Sequence, residues 1–212
     1  MKVNKGSASI RRIVFQTQAG RKGLNQMKKS SLILLAPGFE ECEGLLVIDL
    51  FRRAGLEIVS AAVGGKKLVP SLHGIPIPAD LSLEEISAEK YDLCILPGGM
   101  PGVENLIANT KVRQLCTAFA ASGKRLAAVC GGPAVLGAFG LLKGRRVTVF
   151  PGLQKRLTGA VYDDQPVITD GKITTGRALG SAVPFALELI RLMAGEEAVS
   201  RVKQAIVWKE MP

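Results

Sequence analysis

The sequence predicts an α/β fold with a doubly wound, mainly parallel sheet and helices on both faces. From residue 31 onward, short continuous apolar runs alternate with amphipathic segments, and this alternation is typical of units that build a parallel sheet. The 212 residues are 47% hydrophobic and 22% charged, so a packed core is expected and global disorder is excluded. The longest apolar runs are far shorter than the roughly 20 residues of a membrane-spanning helix, so no membrane association is expected.

The individual elements follow from local patterns. Continuous apolar runs predict buried parallel strands at residues 31–36, 57–63, 91–97, 125–130 and 146–150. Amphipathic segments predict helices at residues 43–54, 82–88, 111–122, 133–142, 182–194 and 196–207.

Turn residues predict two hairpins and one helix cap. The Gly64-Gly65-Lys66-Lys67 segment predicts a hairpin turn ahead of strands at 68–71 and 75–79. The Asp170-Gly171 pair predicts a tight hairpin within 167–175. Ser181 is expected to cap the helix that follows it.

The positive charge is concentrated at the start of the chain. Residues 1–29 contain eight lysines and arginines and no acidic residue, whereas the remainder has 20 basic and 18 acidic residues. We therefore predict a basic, disordered extension over 1–29 and a single domain over 30–212. A misplaced start, an organelle transit peptide and a polyanion-binding arm are alternatives for the extension. Because the rest of the chain is nearly neutral, nucleic-acid binding by the folded domain is not expected.

The four cysteines do not form a metal-binding pattern. They lie at positions 42, 94, 116 and 130, with no C-x-x-C spacing and one histidine in the chain, so a zinc site is not expected. Free thiols suit a reducing compartment, which favours a cytoplasmic location. Cys94 and Cys116 lie in apolar segments and are expected to be core residues. Cys42 precedes Glu43 and is expected to point away from it, because neighbouring helical residues diverge.

Cys130 stands between a predicted strand and a predicted helix. The sequence Val129-Cys130-Gly131-Gly132-Pro133 is compatible with a nucleophile elbow, in which a sharp turn exposes the side chain at the edge of the sheet. The amino end of the following helix is expected to favour the thiolate. The alternative is a buried, inert cysteine beside a helix start.

Two other strand ends carry polar groups or glycines. Gly98-Gly99 follows the strand at 91–97, and its backbone N–H groups could bind an oxyanion or simply form a turn. Glu40, Glu41 and Glu43 follow the first strand; one of them could relay a proton, or all could serve as partners of the helix dipole. Ligands of such sheets bind at the carboxyl ends of the strands, so these groups are expected to meet.

Together, these segments resemble the ThiJ/PfpI superfamily, and within it the clade of the Parkinson-disease-associated deglycase. The resemblance spans roughly residues 29–207. The matching stretches are Ala36-x-Gly38-x-Glu40-Glu41-x-Glu43, Asp49-x-x-Arg52-Arg53-Ala54-Gly55, Tyr91-Asp92-x-x-x-Leu96-Pro97-Gly98-Gly99 and Ala127-Ala128-Val129-Cys130-Gly131-Gly132-Pro133.

The resemblance implies a flavodoxin-like fold similar to class I glutamine amidotransferases, a homodimer, and a role for six residues. Cys130 would be the reactive cysteine and Glu43 the carboxyl that hydrogen-bonds its sulfur. The backbone N–H groups of Gly99 and Gly131 would bind an oxyanion. Arg53 and His73 would lie at the rim of the pocket.

The resemblance also implies a function, with one departure. The human member of this clade carries a histidine where Phe150 precedes Pro151, whereas some bacterial relatives also lack it, so a Cys-His dyad is absent at that place in this sequence. We expect a glutathione-independent glyoxalase or deglycase that acts on methylglyoxal or its early protein adducts and needs neither a metal nor an organic cofactor. An oxidation sensor or chaperone acting through Cys130 is the alternative, and a PfpI-type peptidase is a third hypothesis.

Overall fold

The computed structural model describes residues 29–209. Residues 1–28, which hold nearly all of the predicted basic extension, and residues 210–212 lie outside the described part of the chain. The strands are β1 (Ser30–Leu35), β2 (Glu57–Ala62), β3 (Leu68–Pro70), β4 (Pro76–Pro78), β5 (Leu81–Ser82), β6 (Leu93–Leu96), β7 (Arg125–Val129), β8 (Arg146–Val147), β9 (Val161–Tyr162), β10 (Val167–Asp170) and β11 (Ile173–Gly176). The α-helices are α1 (Glu41–Arg53), α2 (Met100–Ala108), α3 (Thr110–Ala121), α4 (Pro133–Ala138), α5 (Ala182–Ala194) and α6 (Glu196–Ala205).

Seven strands form one sheet in the order β10-β11-β7-β6-β1-β2-β5. All neighbouring pairs are parallel except β10 and β11, which form the predicted hairpin at Asp170-Gly171. The chain leaves β1 toward β2 on one side and later returns to β6 on the other. The carboxyl ends of β1 and β6 therefore flank the point where the winding reverses, which is where sheets of this kind bind ligands. The predicted doubly wound α/β fold is confirmed.

The sheet separates two hydrophobic cores. Successive side chains of a strand point to opposite faces, and β1 accordingly sends Leu32 and Leu34 into one core and Ile33 and Leu35 into the other. All four are completely buried. Helices α2, α3 and α4 cover the first core, and α1, α5 and α6 cover the second. Burial on both faces explains why β1 reads as an unbroken apolar run.

Helix α2 was not predicted from the sequence. Its first residues, Met100-Pro101-Gly102, read as a turn, but proline is tolerated in the first turn of a helix. Gly102 is needed here because a side-chain carbon at this position would lie 2.7 Å from the backbone nitrogen of Phe39. The close packing of α2 against the loop after β1 thus required a residue that sequence patterns read as a helix breaker.

Several other elements differ from their predicted extents. The strand predicted at 146–150 pairs only over Arg146–Val147, and the helix predicted at 133–142 ends at Ala138. Two 3₁₀ turns, Leu83–Glu85 and Ala88–Lys90, replace the helix predicted at 82–88.

The hairpin and cap predictions were partly wrong. The hairpin joins β3 to β4 through Ser71 and Gly74, not through Gly64-Gly65. Ser181 does not cap α5 with its side chain, because its hydroxyl donates to the carbonyl of Ala178 at 2.8 Å. No helix within residues 29–209 has both the length and the hydrophobicity to cross a membrane.

Replacing Phe185 with alanine should destabilise the domain by about 3–5 kcal/mol, because its fully buried ring would leave a cavity. The ring packs against Gly176 at the end of β11. Urea unfolding of Phe185→Ala measures this loss. Leu68→Ala removes a leucine that is 58% exposed and should change the free energy of unfolding by less than about 1 kcal/mol. Equal losses in the two variants would contradict the assignment of Phe185 to the core.

Candidate active site

Cys130 occupies a strained turn at the carboxyl end of β7. Its φ is +60°, and among residues 29–209 only Val207 is another non-glycine residue with positive φ. This conformation costs about 1–2 kcal/mol for an L-residue. Two hydrogen bonds hold it: the N–H of Cys130 donates to Gly176 at 2.9 Å, and its carbonyl accepts from the N–H of Phe150 at 2.9 Å. The geometry is that of a nucleophile elbow.

Glu43 in the first turn of α1 places its carboxyl beside this thiol. The residue is completely buried and its carboxyl hydrogen-bonds the thiol of Cys130. The N–H of Gly98 donates to the same carboxyl, to Oε2, at 2.8 Å. Glu40 caps α1 by accepting the N–H of Glu43 at 2.7 Å. The carboxyl is therefore fixed from both the strand end and the helix start.

Gly98 is a functional position that the sequence analysis did not single out. A side-chain carbon there would lie 2.7 Å from Cβ of Cys130 and 2.7 Å from Oε2 of Glu43. Only glycine leaves room for the thiol and the carboxyl to meet. A pair of glycines directly after a buried strand was the available signal, but it did not distinguish the role of Gly98 from that of Gly99.

Burial controls the protonation of the pair. Burial raises the pKa of Glu43 to about 7, against the hydrogen bonds from Gly98 and Cys130 that favour its charged form. Burial, followed by the charge of Glu43, raises the pKa of the Cys130 thiol to about 12, and the N–H groups of Gly131 and Gly99 oppose this rise. The N–H of Gly131, just before α4, favours the thiolate as expected, but burial and the charge of Glu43 outweigh it.

Two backbone N–H groups are directed at the sulfur, as the resemblance implied. They belong to Gly99 and Gly131, which both hydrogen-bond Cys130. Gly99 has a φ of +90° and stands at the N-cap of α2, so the helix that the sequence did not predict begins at the site. Donors in this arrangement can hold the negative oxygen that forms when a thiol adds to a carbonyl.

A pocket of about 380 Å³ opens over the thiol. The lining residues are Glu40, Glu43, Leu72, His73, Gly99, Met100, Cys130, Gly131, Phe150, Leu153, Ala178, Leu179 and Gly180. Five of the six residues named from the sequence are among them. The apolar members come from loops, a 3₁₀ turn and the first residue of α2. No periodicity marks residues there as functional, and of these only Phe150 was named from the sequence.

Arg53 is not among the residues that line this pocket, contrary to the sequence expectation. It ends α1, ten residues after Glu43, which at 1.5 Å per residue corresponds to about 15 Å along the helix. Its Nε donates to Asp49 at 2.6 Å on the solvent side of the helix.

His73 lies at the rim and is oriented by Glu41. Its Nδ1 is 2.9 Å from Oε1 of Glu41. Burial acts to raise the pKa of Glu41, but hydrogen bonds from its own backbone, His73 and Ser71 outweigh burial and lower it. Glu40, Glu41 and His73 bring one possible metal-ligand atom each within 4.8 Å of one another. Since Glu40 and His73 already have protein partners, their hydrogen bonds explain the cluster without a metal.

The remaining cysteines match their predicted surroundings. Cys94 and Cys116 are buried and Cys42 is exposed.

The buried carboxyl predicts a pH-dependent difference between the wild type and Glu43→Gln. With a folded pKa of about 7 and an unfolded value near 4.5, the native state binds the extra proton between these values. Wild-type stability should therefore fall as pH rises through this window, by about 3 kcal/mol relative to Glu43→Gln. Urea unfolding of both proteins at pH 4.5 and pH 8 measures the difference. Parallel pH dependences would contradict the raised pKa.

Comparisons with known proteins agree with this fold. The model of the DJ-1/PfpI family matches residues 29–192. Protein dj-1beta of Drosophila melanogaster is 33% identical over 183 residues, covering 85% of this chain and 98% of the relative. Its crystal structure has a TM-score of 0.83, at 33% identity over 87% of this chain and all of that chain. A deglycase of Pyrococcus abyssi is 30% identical over 164 residues, which cover 76% of this chain and 98% of the relative. These matches confirm the resemblance seen in the sequence: the chain belongs to the DJ-1/PfpI family.

Proposed function

We propose that this protein is a cysteine-dependent, glutathione-independent glyoxalase or deglycase that converts methylglyoxal, free or as early protein adducts, to lactate. One observation carries the proposal: a buried carboxyl and two backbone N–H groups converge on the thiol of Cys130. A nucleophile, a base and an oxyanion site are the parts that carbonyl addition needs. The similarity to a relative named a deglycase supports the same chemistry.

Addition to the aldehyde is the first step. The carboxylate of Glu43 takes the proton of the Cys130 thiol while the sulfur attacks the aldehyde carbon. A C–S bond forms and the C=O π electrons move to oxygen, whose negative charge the N–H groups of Gly99 and Gly131 stabilise. Proton transfer to this oxygen completes the hemithioacetal. The raised pKa of the thiol fits this role, because the proton leaves only as the bond forms.

Proton movement between adjacent carbons follows. Glu43 removes the hydrogen of the former aldehyde carbon as a proton, giving an enediolate, and returns this proton to the neighbouring carbon, while the hydroxyl proton on the first carbon passes to the oxygen of the second. The first carbon is oxidised by two electrons and the second is reduced by two, leaving a lactoyl thioester on Cys130. Water cleaves the C–S bond, releasing lactate and the thiol. The sum is methylglyoxal plus water giving lactate, with no external oxidant or reductant.

Removing the nucleophile or the base should remove the activity. Cys130→Ser should lower lactate formation from methylglyoxal to background, because the hydroxyl is a far weaker nucleophile. Glu43→Gln should lower kcat by about 10²–10⁴-fold through loss of general base catalysis. The measurement is lactate production without glutathione.

Cys42→Ser is the matched control for this experiment. Cys42 is an exposed cysteine of α1, the helix that carries Glu43. It does not line the pocket, so the variant should retain full activity. Normal turnover by Cys130→Ser would overturn the proposed function.

Oxidation sensing through the same sulfur is a second candidate. A sulfinate on Cys130 would meet the N–H groups of Gly99 and Gly131, which already point at the sulfur. The raised pKa of the Cys130 thiol opposes rapid oxidation, because the thiolate is the form that reacts with peroxide.

If Cys130 is a sensor, mild peroxide should add two oxygens to this residue before the exposed Cys42 is modified. Peptide mass spectrometry over a peroxide titration measures the order of oxidation. Simultaneous oxidation of Cys42 and Cys130 would show no selectivity and would count against sensing. The cysteines of unfolded protein provide the reference rate.

A further inference from the structure

The walls of the pocket around Cys130 are unusually apolar. The exposed large hydrophobic residues within residues 29–209 are Leu45, Leu68, Leu72, Ile75, Met100, Phe150, Val161, Leu179 and Val207. Four of these nine line this single pocket. We call these four, together with the half-buried Leu153, the apolar wall: Leu72, Met100, Phe150, Leu153 and Leu179. Exposed apolar side chains concentrated in one cavity are typical of a ligand site.

The apolar wall begins at the reacting groups. A side-chain carbon on Gly131 would lie 3.6 Å from Cδ1 of Leu153 and 3.6 Å from Sδ of Met100. The backbone N–H of Phe150 donates to the carbonyl of Cys130 at 2.9 Å. A substrate whose aldehyde carbon is bonded to Cys130 and whose oxygen faces Gly131 therefore has this wall within reach of its remaining substituent.

The size and charge of the pocket restrict that substituent further. A cavity of about 380 Å³ lies in the size range, roughly 300–1,000 Å³, that holds drug-sized molecules, whereas methylglyoxal offers only a methyl group. The lining set contains two glutamates, one histidine and no lysine or arginine. A phosphate or carboxylate on the substrate would therefore meet two carboxyls and neither a lysine nor an arginine of the described chain.

We propose that the preferred substrates are uncharged 2-oxoaldehydes with an alkyl or aryl substituent larger than methyl. This inference rests on the proposed function and names its substrate class. The substituent would displace water from the apolar wall, and this burial would strengthen binding of the substrate next to the thiol of Cys130. The product in each case is the corresponding 2-hydroxy acid.

Phenylglyoxal and methylglyoxal are the probes that test this proposal. For the wild type, kcat/KM for phenylglyoxal should exceed that for methylglyoxal by about tenfold, since apolar pocket contacts discriminate by roughly 10–200-fold. Leu153→Ala and Leu179→Ala should each lower kcat/KM for phenylglyoxal by about fivefold, mainly through KM, and lower that for methylglyoxal by a smaller factor, because a methyl group covers less of the wall. Mandelate and lactate are the products quantified.

Leu68→Ala is the matched control, because it shortens an exposed leucine outside the pocket and should leave both substrates unaffected. Thermal unfolding of each variant verifies that it is folded.

The outcomes separate the two proposals. Equal kcat/KM for both substrates in the wild type, or equal losses on both in the wall variants, would overturn the substrate class and leave the proposed function standing. Equal losses accompanied by a change in sedimentation would show that the wall is covered by a second copy of the chain. Absence of turnover with either substrate, in wild type and Cys130→Ser alike, would overturn the proposed function and this inference with it.

Discussion

The contact between the buried carboxyl of Glu43 and the thiol of Cys130 is the constraint on which the rest of the site depends. An ionised carboxyl away from water is costly unless hydrogen bonds compensate it, and the N–H of Gly98 supplies one at 2.8 Å. That bond requires Gly98 to lack a side chain. It also requires α1 to begin where Glu40 can cap it. One electrostatic requirement therefore explains a glycine, a helix start and the position of a carboxyl.

The sheet topology brings these parts together. The carboxyl ends of β1, β6 and β7 are neighbours, although the segments that follow them are separated by many residues in the chain. Glu43 follows the first of these strands, Gly98 and Gly99 the second, and Cys130 the third. The positive φ of Cys130 is tolerated because bonds from β11 and from the loop at Phe150 hold its backbone on both sides.

The sequence could predict the polar parts of the site because each stands at the end of an apolar strand or in the segment that follows one. Cys130, Glu43 and Gly99 were found in this way, and the resemblance assigned their roles. Leu153 and Leu179 could not be predicted as site residues, because an apolar residue between the main strands and helices belongs to no periodic pattern or motif that would distinguish it. Fold class was predictable from the alternation of runs, whereas α2 was hidden by a proline and glycines that tertiary packing requires. The direction in which the pKa of the Cys130 thiol shifts could not be predicted either, because it depends on burial that arises only when the sheet and helices pack together.

The raised pKa of the thiol bears on which chemistry the site favours. Peroxide reacts with a thiolate that exists before the encounter, and desolvation beside Glu43 makes that form scarce. An aldehyde is different, because the proton can pass to Glu43 as the C–S bond forms, and the negative charge moves onto an oxygen that Gly99 and Gly131 can bind. With a pKa of about 7, Glu43 is suited both to accept that proton and to return it at neutral pH. The same burial that suppresses the free thiolate thus favours a reaction in which proton transfer accompanies addition. An apolar substituent on the aldehyde would exclude further water from the site and so strengthen this effect.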